Sequence, residues 1–211
     1  MTYCDYADGV PDKPGTAKFI AQDRLSGLQV LCDPTVESGQ TWIVIQRRVD
    51  GETSFDRNMD DYKNGFGDFK EDFWFGLDKI SQVLSKGVWQ MRFEFKDRHG
   101  KAFFSVYDNV QVDERDGYKL TLGAAKAKSD GLYDSFRKND QWKYEGAPFV
   151  TRDSQLTDIR PTCARVFGGG WWYLYDSCAE ENLNGSFRTR YMHWFKRNHL
   201  TYSEIKIRKV A

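Results

Sequence analysis

A loop near residue 155 has the spacing of a cation site but lacks most of the expected ligands. Asp153 and Asp158 carry carboxylates, whereas Gln155 and Thr157 in the same loop are neutral. Calcium takes six to eight oxygen ligands, and its affinity depends on how many of them are charged, so calcium loops usually carry carboxylates at alternating positions. These four residues therefore predict a degenerate calcium loop, and we expect no metal or other cofactor.

The four cysteines, Cys4, Cys32, Cys163 and Cys178, form the second group with chemical potential. They contain no CxxC motif, and no histidine stands at zinc spacing, which argues against a zinc site. Four cysteines permit three disulfide connectivities. Pairing in sequence order closes two short loops, each worth about 3–4 kcal/mol, and would indicate secretion, because disulfides persist in oxidising compartments. Four free thiols in a cytosolic protein are the alternative.

The sequence shows none of the motifs that mark common catalytic sites. It contains neither GxSxG nor HExxH, and no nucleophile is paired with a base. We therefore predict that the protein is not an enzyme. The formal net charge of zero argues against a nucleic-acid partner. No apolar run approaches the roughly 18 residues that a membrane span needs.

The C-terminal part of the sequence is basic although the protein as a whole is neutral. Its basic residues are Arg188, Arg190, Lys196, Arg197, Lys206, Arg208 and Lys209, and Glu204 is the acidic one. Such a segment suits an anionic partner, for example a sulfated or sialylated glycan. Solvated strand faces are the alternative interpretation.

Hydrophobic periodicity predicts an α+β domain built on an antiparallel sheet. Residues 88–97 alternate, so that Trp89 and every second residue to Phe95 share a buried face, and the charged face is expected to be solvated. Residues 76–87 have helical spacing, with Gly87 as the C-cap. The other predicted elements are a loop over 11–16, strands over 28–32, 41–48, 102–107, 118–123 and 202–209, a short helical stretch from Asp60 and Asp61 to Gly65, and an irregular region over 123–190.

Aromatic residues make up 16% of the sequence, with 7 Trp, 11 Tyr and 15 Phe. Large rings bury much area each, and we expect most of them in the core. A long irregular stretch such as 123–190 is typical of functional loops, so aromatic residues there are candidates for ligand contact.

Several stretches together resemble the fibrinogen C-terminal domain family. They are TWIVIQRRVDG, DYKNGFGDFKEDFWFGLDKI, YKLTLG, CARVFGGGWW, NLNG and EIKIR, in this order. The resemblance spans Cys4 to Arg208. It implies one domain over 1–211, with disulfides Cys4–Cys32 and Cys163–Cys178, a central twisted antiparallel sheet and short helices. It also implies three subdomains, over about 1–40, 41–122 with 200–209, and a loop-rich binding part over 123–199.

Matching to this family explains the neutral loop. Counted back from the third cysteine, Asp153 takes the position of a structural aspartate, and the two carboxylate ligands fall on Gln155 and Thr157. Ile159 and Pro161 would supply carbonyl oxygens. The calcium site of the family is therefore expected to be lost, unless Asp158, one residue out of register, reaches into it.

The sugar pocket of the family's lectins is altered as well. Those lectins have a histidine directly after the cysteine that Cys178 matches, and here Ala179 stands in its place. A loop that follows NLNG in the family is mostly deleted. The residues expected to contact a ligand are Tyr173, Tyr175, Asp176, Ala179, Arg188, Arg190, Tyr191, His193 and Trp194. Trp172 is expected in the core, and the sequon at Asn184 is expected to carry no glycan.

The resemblance implies a secreted, extracellular, non-enzymatic recognition module, because the family includes ficolin-like and tachylectin-like lectins and invertebrate defence proteins. We expect it to bind a surface glycan or protein through its late loops, in innate defence. The alternative is a receptor ligand, or a domain for a soluble protein partner, that has no sugar pocket. Weak affinity for each domain would be raised by oligomerisation of the parent protein through other segments.

Overall fold

The computed structural model describes residues 4, 17–22, 27–37, 40–134, 136–138, 141–142, 147–195 and 197–210. The loop predicted over 11–16, and Lys196 of the basic segment, lie outside the described residues.

The described residues form many short strands and a few short helices. The helices are α1 (Met59–Asn64), α2 (Leu77–Leu84) and α3 (Arg160–Phe167), with one 3-10 turn at Glu114–Asp116. The strands are β1 (Phe19–Gln22), β2 (Gln29–Glu37), β3 (Gln40–Arg48), β4 (Phe66–Gly67), β5 (Phe73–Trp74), β6 (Trp89–Lys96), β7 (Ala102–Tyr107), β8 (Gln111–Asp113), β9 (Lys119–Thr121), β10 (Ala125–Lys128), β11 (Arg137–Lys138), β12 (Gln141–Trp142), β13 (Glu181–Asn182), β14 (His193–Trp194), β15 (Arg197–Asn198) and β16 (Tyr202–Lys209).

Antiparallel pairing joins the long strands into one sheet in the order β1-β2-β3-β16-β6-β7-β10, with β4 and β5 attached to β3. The last strand, β16, lies between β3 and β6 at the centre. The predicted α+β fold with a central antiparallel sheet is confirmed. The strand predicted over 118–123 is shorter, and as β9 it pairs with β8 outside this sheet.

The sheet continues through the predicted subdomain boundaries. β1 and β2 extend it from the N-terminal side, and β10 extends it into the region predicted to be irregular. The same region contains α3, which the sequence pattern did not predict. The division into three subdomains therefore stays a prediction.

One face of the sheet carries the aromatic core. Trp89, Met91, Phe93 and Phe95 of β6 are fully buried, as their alternation predicts. Trp194 packs against this face, with its ring centroid 5.1 Å from that of Phe95. Burying such rings supplies much of the hydrophobic stabilisation of a domain this size.

The prediction that the other face is solvated is wrong at its centre. Lys206 is 2% exposed, and its ammonium lies 2.7 Å from Asp33 and 2.9 Å from Glu204, with Glu94 as a third partner. Arg92, also buried, pairs with Glu94. Burial of these charges is tolerated because each cation meets carboxylates. Lys206 is thus removed from the basic surface that the sequence suggested.

Both disulfides form in sequence order, Cys4 with Cys32 and Cys163 with Cys178. The first attaches Cys4 to β2, and the second links α3 to the segment that follows it. Within the described part of the protein, no helix has the length and apolar character to cross a bilayer.

Candidate functional site

The loop that leads into α3 satisfies its own carboxylates with protein donors. One oxygen of Asp153 accepts bonds from the Met59 backbone N–H (3.1 Å) and the Thr151 hydroxyl (2.6 Å). The Gln155 amide turns back to the carbonyl of Asp153, at 3.0 Å. Asp153 therefore sits at the start of α1, where a carboxylate is favoured by the exposed N–H groups of the helix.

Asp158, the other carboxylate of this loop, is held by Arg160. The Arg160 guanidinium donates to both of its oxygens, at 2.9 and 2.6 Å, and the Arg160 backbone N–H donates at 3.0 Å. These hydrogen bonds from Arg160 lower the pKa of Asp158 below its usual value. A two-pronged guanidinium contact of this kind is among the strongest that a carboxylate finds on a protein.

Such a loop is a poor fit for calcium. Its carboxylates are already bonded, and the intervening side chains are neutral. The described residues contain no group of three or more His, Cys, Asp or Glu side chains placed to hold a metal ion. The absence of calcium stays a prediction.

Two of the predicted ligand residues lie in the core, which corrects their assignment to the surface. Tyr173 is fully buried; its hydroxyl donates to the Gly169 carbonyl at 2.6 Å and accepts from the Asn182 amide at 2.8 Å. Trp194 is fully buried in the aromatic core described above. Internal partners satisfy the polar atom of the tyrosine, so its side chain is part of the core. Trp172 is buried, as predicted.

Tyr175 and Asp176 form an exposed tip. The turn that carries them closes through a hydrogen bond from the Leu174 N–H to the Cys178 carbonyl (2.6 Å), and the disulfide to Cys163 holds its base. Tyr175 is 72% exposed, the largest value among the exposed large apolar side chains of the described residues. A large ring fixed this far into solvent is available to a partner.

Arg188, Arg190 and Tyr191 lie on a second exposed turn. It is closed by a bond from the Tyr191 N–H to the Ser186 carbonyl, at 2.9 Å. Arg190 has a positive φ of 64°, which points to a tightly folded backbone at that position. Arg188 lies 3.5 Å from Glu52 and is largely exposed, so this ion pair is weak.

Phe167, the last residue of α3, brings four aromatic side chains together. Its ring centroid lies 5.4 Å from Tyr191, 5.5 Å from His193 and 6.1 Å from Tyr173. We call Phe167, Tyr173, Tyr191 and His193 the Phe167 cluster. The cluster joins the exposed turn to the core, and Phe167 was not among the predicted site residues.

His193 brings an imidazole next to Ala179, the position at which the family's lectins have their own histidine. Its Nδ1 lies 2.8 Å from the Tyr191 carbonyl oxygen, and its Nε2 lies 3.5 Å from that of Ala179. Burial lowers the pKa of His193. The ring is therefore neutral at pH 7, and its Nδ1–H donates to Tyr191.

A concave cleft of about 370 Å³ lies beside the exposed turn. Three segments form its walls: 48–56, 165–168 and 186–191, and we call it the three-walled cleft. Its lining residues are Arg48, Gly51, Glu52, Thr53, Ser54, Phe55, Asp56, Arg165, Val166, Gly168, Ser186, Phe187, Arg188, Thr189 and Tyr191. Of the predicted ligand residues, Arg188 and Tyr191 contribute to it.

Asp72, which is buried, fixes the first wall. The backbone N–H groups of residues 49, 50 and 51 all donate to its carboxylate, and the Arg48 guanidinium pairs with it at 3.0 Å. Gly51 has a φ of 74°, and a Cβ there would lie 2.7 Å from the Phe187 ring. Glycine is therefore required where the first wall meets the third.

Hydrogen bonds connect the walls to one another. Arg48 donates to the carbonyl of Gly185, directly before the third wall, at 3.0 Å, which links the first wall to the start of the third. The Ser186 N–H donates to the Phe167 carbonyl at 2.7 Å, which links the third to the second. Hydrogen bonds within the fold thus join all three walls.

Sequence reasoning missed most of the first two walls. Glu52, Phe55 and Asp56 follow a strand more than 100 residues before the turn that they face, and Asp50-Gly51 predicts only a turn. Contact between segments so far apart in the sequence leaves no pattern in either segment alone. For the second wall, a signal existed: Pro161 near the start and Gly168 after the end of α3 are usual helix boundaries.

The Asn184 sequon is buried. Its side-chain amide donates to the Gly170 carbonyl (3.0 Å) and accepts from the Gln46 amide (3.1 Å). The amide oxygen thus contacts β3 through Gln46, and the amide nitrogen contacts Gly170 in the segment before β13. Asn184 is fully buried in the folded domain.

Comparison with known proteins agrees with the resemblance read from the sequence. The family model described as the C-terminal globular domain of fibrinogen beta and gamma chains matches residues 5–208. Human tenascin-R is 36% identical over 170 residues, which is 80% of this chain and 12% of that protein. Human ficolin-3 is 35% identical over 161 residues, covering 76% of this chain and 50% of that protein. The chain therefore spans about an eighth of one relative and half of the other.

The fold has a close counterpart among solved structures. The fibrinogen-like globe domain of human ANGPTL6 superposes with a TM-score of 0.79 at 30% identity, covering 92% of this chain and 90% of that one.

Proposed function

Because this protein belongs to the family of the C-terminal globular domains of fibrinogen beta and gamma chains, we propose that it is an extracellular, non-enzymatic recognition module. It binds a surface glycan or a protein, in a defence setting, through its late loops. The two disulfides support an oxidising location. Binding of weak individual affinity would gain strength if other segments of the parent protein oligomerise it.

The observation that carries this proposal is the three-walled cleft. Its volume of about 370 Å³ falls in the range of small-ligand sites, and exposed arginine and tyrosine side chains stand at its edge. A site that is already formed loses little conformational entropy on binding, so even a small contact area can give measurable affinity.

A protein partner is favoured by a different observation. Three apolar side chains are exposed on or near α3. They are Val166 in the helix (54% exposed), Ile159 at its N-cap (45%) and Tyr175 (72%) on the turn that the Cys163–Cys178 disulfide joins to the helix. Exposed apolar and aromatic side chains are typical of the centre of protein interfaces. A receptor or a soluble protein could dock here without a sugar.

We also propose that binding is independent of calcium. This is supported by the hydrogen bonds that occupy Asp153 and Asp158, described above. Arg160, the first residue of α3, neutralises Asp158, and the neutral Gln155 and Thr157 add no charge for a cation.

The test is a glycan array run in parallel with a pull-down from extracellular fluid, each with and without a chelator. Arg188→Ala and Tyr191→Ala, in the wall of the cleft, should reduce a signal on the array, and Tyr175→Ala should reduce a protein signal. Arg115→Gln, at a side chain 92% exposed and outside the late loops, should leave both unchanged. Signal on the array favours the glycan, and a stoichiometric protein complex without sugar competition favours the protein partner. Silence in both would contradict the proposed function.

A further inference from the structure

We propose that the Cys163–Cys178 disulfide is a redox switch for the turn that carries Tyr175. Exchange with a dithiol, such as the active site of a thiol oxidoreductase, opens the bridge and releases the turn, and reoxidation closes it again. As a control of binding, this inference rests on the proposed function, because Tyr175 is the exposed contact for a protein partner. The opening of the bridge does not depend on who that partner is.

The two disulfides of this protein differ in their access to solvent. Cys4, Cys32 and Cys163 are at most 1% exposed, whereas Cys178 is partly exposed. Exchange begins when a thiolate attacks one sulfur of a disulfide, so its rate depends on access to that sulfur. A thiol can therefore approach the second bridge from the side of Cys178, whereas both cysteines of the first bridge are buried.

The backbone at Cys178 also favours opening. Its φ is positive, at 59°, in a region that residues with a side chain rarely adopt. Such a conformation is unfavourable by itself and persists only where the surrounding contacts impose it. Opening the bridge removes one of these contacts, so the backbone of the turn can relax.

Contacts on both sides of the turn confine this change to residues 174–178. Before the turn, the buried Tyr173 is held by two hydrogen bonds inside the core. After it, Glu181 is buried and pairs with Trp194 in the small sheet of β13 and β14. The two cysteines therefore stay close to each other when the bridge is open, which allows it to form again.

Within the turn, little besides the bridge keeps Tyr175 in place. One backbone hydrogen bond closes it, from the Leu174 N–H to the Cys178 carbonyl at 2.6 Å. The Ser177 hydroxyl bonds to Asp176 beside it and adds no link across the turn. A single hydrogen bond contributes little against the conformational entropy of five residues. Once the bridge is open, Tyr175 loses its fixed position, and a partner must order the turn again when it binds.

The exchange reaction needs no reactant besides the dithiol. The attacking thiolate forms a mixed disulfide with the sulfur of Cys178, and the electron pair of the broken S–S bond passes to the sulfur of Cys163. The second thiol of the dithiol then attacks the mixed disulfide and releases Cys178. The dithiol gives up two electrons and two protons and leaves as a disulfide, while both cysteines end as thiols.

The first measurement compares the two bridges within the folded protein. Native protein is treated with dithiothreitol or with reduced thioredoxin, free thiols are alkylated at intervals, and peptide mass spectrometry follows each bridge. Cys163–Cys178 should open at least about ten-fold faster than Cys4–Cys32, because a buried bridge reacts only after local opening of the structure. Equal rates, or faster opening of Cys4–Cys32, would overturn the inference.

The second measurement follows the turn itself with chymotrypsin, which cleaves after aromatic residues in exposed, mobile segments. Protein in which only Cys163–Cys178 is reduced and alkylated should be cut after Tyr175 at least about ten-fold faster than oxidised protein. Circular dichroism verifies that the sheet is intact, and Tyr175→Ala identifies the cut by removing it. Reduced protein that is reoxidised without alkylation should regain its resistance.

Unchanged cleavage after reduction, or a bridge that does not form again, would equally overturn the switch. Neither measurement uses a ligand, so such a failure leaves the recognition function standing. Silence in the array and the pull-down would contradict the recognition function and leave the opening of the bridge unaffected.

Discussion

At the scale of single residues, internal hydrogen bonds decide whether a side chain with a functional motif is accessible at the surface. Asn184 shows this most clearly, because a sequon alone suggests glycosylation. The structure uses both ends of its amide inside the domain.

We expect protein from a secreting cell to carry no glycan at Asn184. Ser186→Ala destroys the sequon. By mass spectrometry, the parent and this variant should therefore differ only by the mass of the substitution. Asn184→Ala should lower the free energy of unfolding by about 2–4 kcal/mol, because the Gly170 carbonyl and the Gln46 amide each lose a buried hydrogen bond, although the Gln46 amide keeps its bond to the Leu183 carbonyl. A glycan lost in Ser186→Ala would contradict this.

The loop before α3 gives a second prediction. Melting temperature should be the same with calcium and with a chelator, because the Arg160–Asp158 pair already balances the carboxylate. Arg160→Gln should lower the melting temperature slightly, and by an equal amount in both conditions. A rise with calcium in the parent protein would show that Asp158 binds the ion despite its position.

His193 makes stability depend on pH. Its folded pKa is lowered by burial, so the unfolded state binds a proton more readily. Stability contributed by the neutral ring is complete above the unfolded pKa of about 6.5 and decreases as the pH falls below that value, until the folded pKa is reached. Denaturant unfolding should show a smaller loss between neutral and mildly acidic pH in His193→Asn than in the parent. An equal loss of unfolding free energy in both proteins would mean that a group other than His193 causes the acid sensitivity.

At the scale of elements, the centre of the sheet depends on ions on one face and rings on the other. Lys206 of β16 neutralises carboxylates that come from β2, β6 and its own strand. Removing it leaves Asp33 and Glu204 buried without this cation.

Lys206→Met should therefore destabilise the domain by about 3–5 kcal/mol. Lys126→Met is the matched control, since the Lys126 side chain is 57% exposed in its pair with Asp108, and it should cost less than about 1 kcal/mol. Urea denaturation compares the two. Similar losses would mean that the buried network contributes no more than a surface pair.

Sequence patterns predicted elements well where one side of an element is buried and the other is not. β6 and α2 have this form, and both lie within about one to three residues of the predicted limits. α3 escaped prediction because only Pro161, Cys163 and Ala164 are buried, which leaves little periodicity to detect. The charged face of β6 was wrongly assigned to solvent because charge alone does not reveal a partner on another strand.

At the scale of the whole molecule, the family motifs fixed by packing, such as the tryptophans near residue 172, identified the fold correctly. The candidate site was only partly predictable. Tyr175, Asp176, Arg188 and Arg190 are exposed, but Tyr173 serves the core, and the first wall of the cleft comes from a distant segment. A local sequence pattern cannot predict that contact, because the two segments come together only when the whole sheet has folded.

The disulfide Cys163–Cys178 gives a prediction at this scale. Replacing both cysteines by serine should cost about 3 kcal/mol, as for other loops of 15 residues. The sheet lies elsewhere and should keep its circular dichroism, while the turn with Tyr175 should exchange its amide protons faster. Loss of the sheet signal under native conditions would mean that the bridge supports more than the turn.

The central place of β16 has a consequence for biosynthesis. Both neighbours of β16, namely β3 and β6, leave the ribosome long before it does, and their facing edges have no strand between them in the meantime. Open edges of that kind recruit chaperones or aggregate. A nascent polypeptide halted before residue 202 would thus remain two unjoined half-sheets, which we expect to aggregate or to be bound by chaperones.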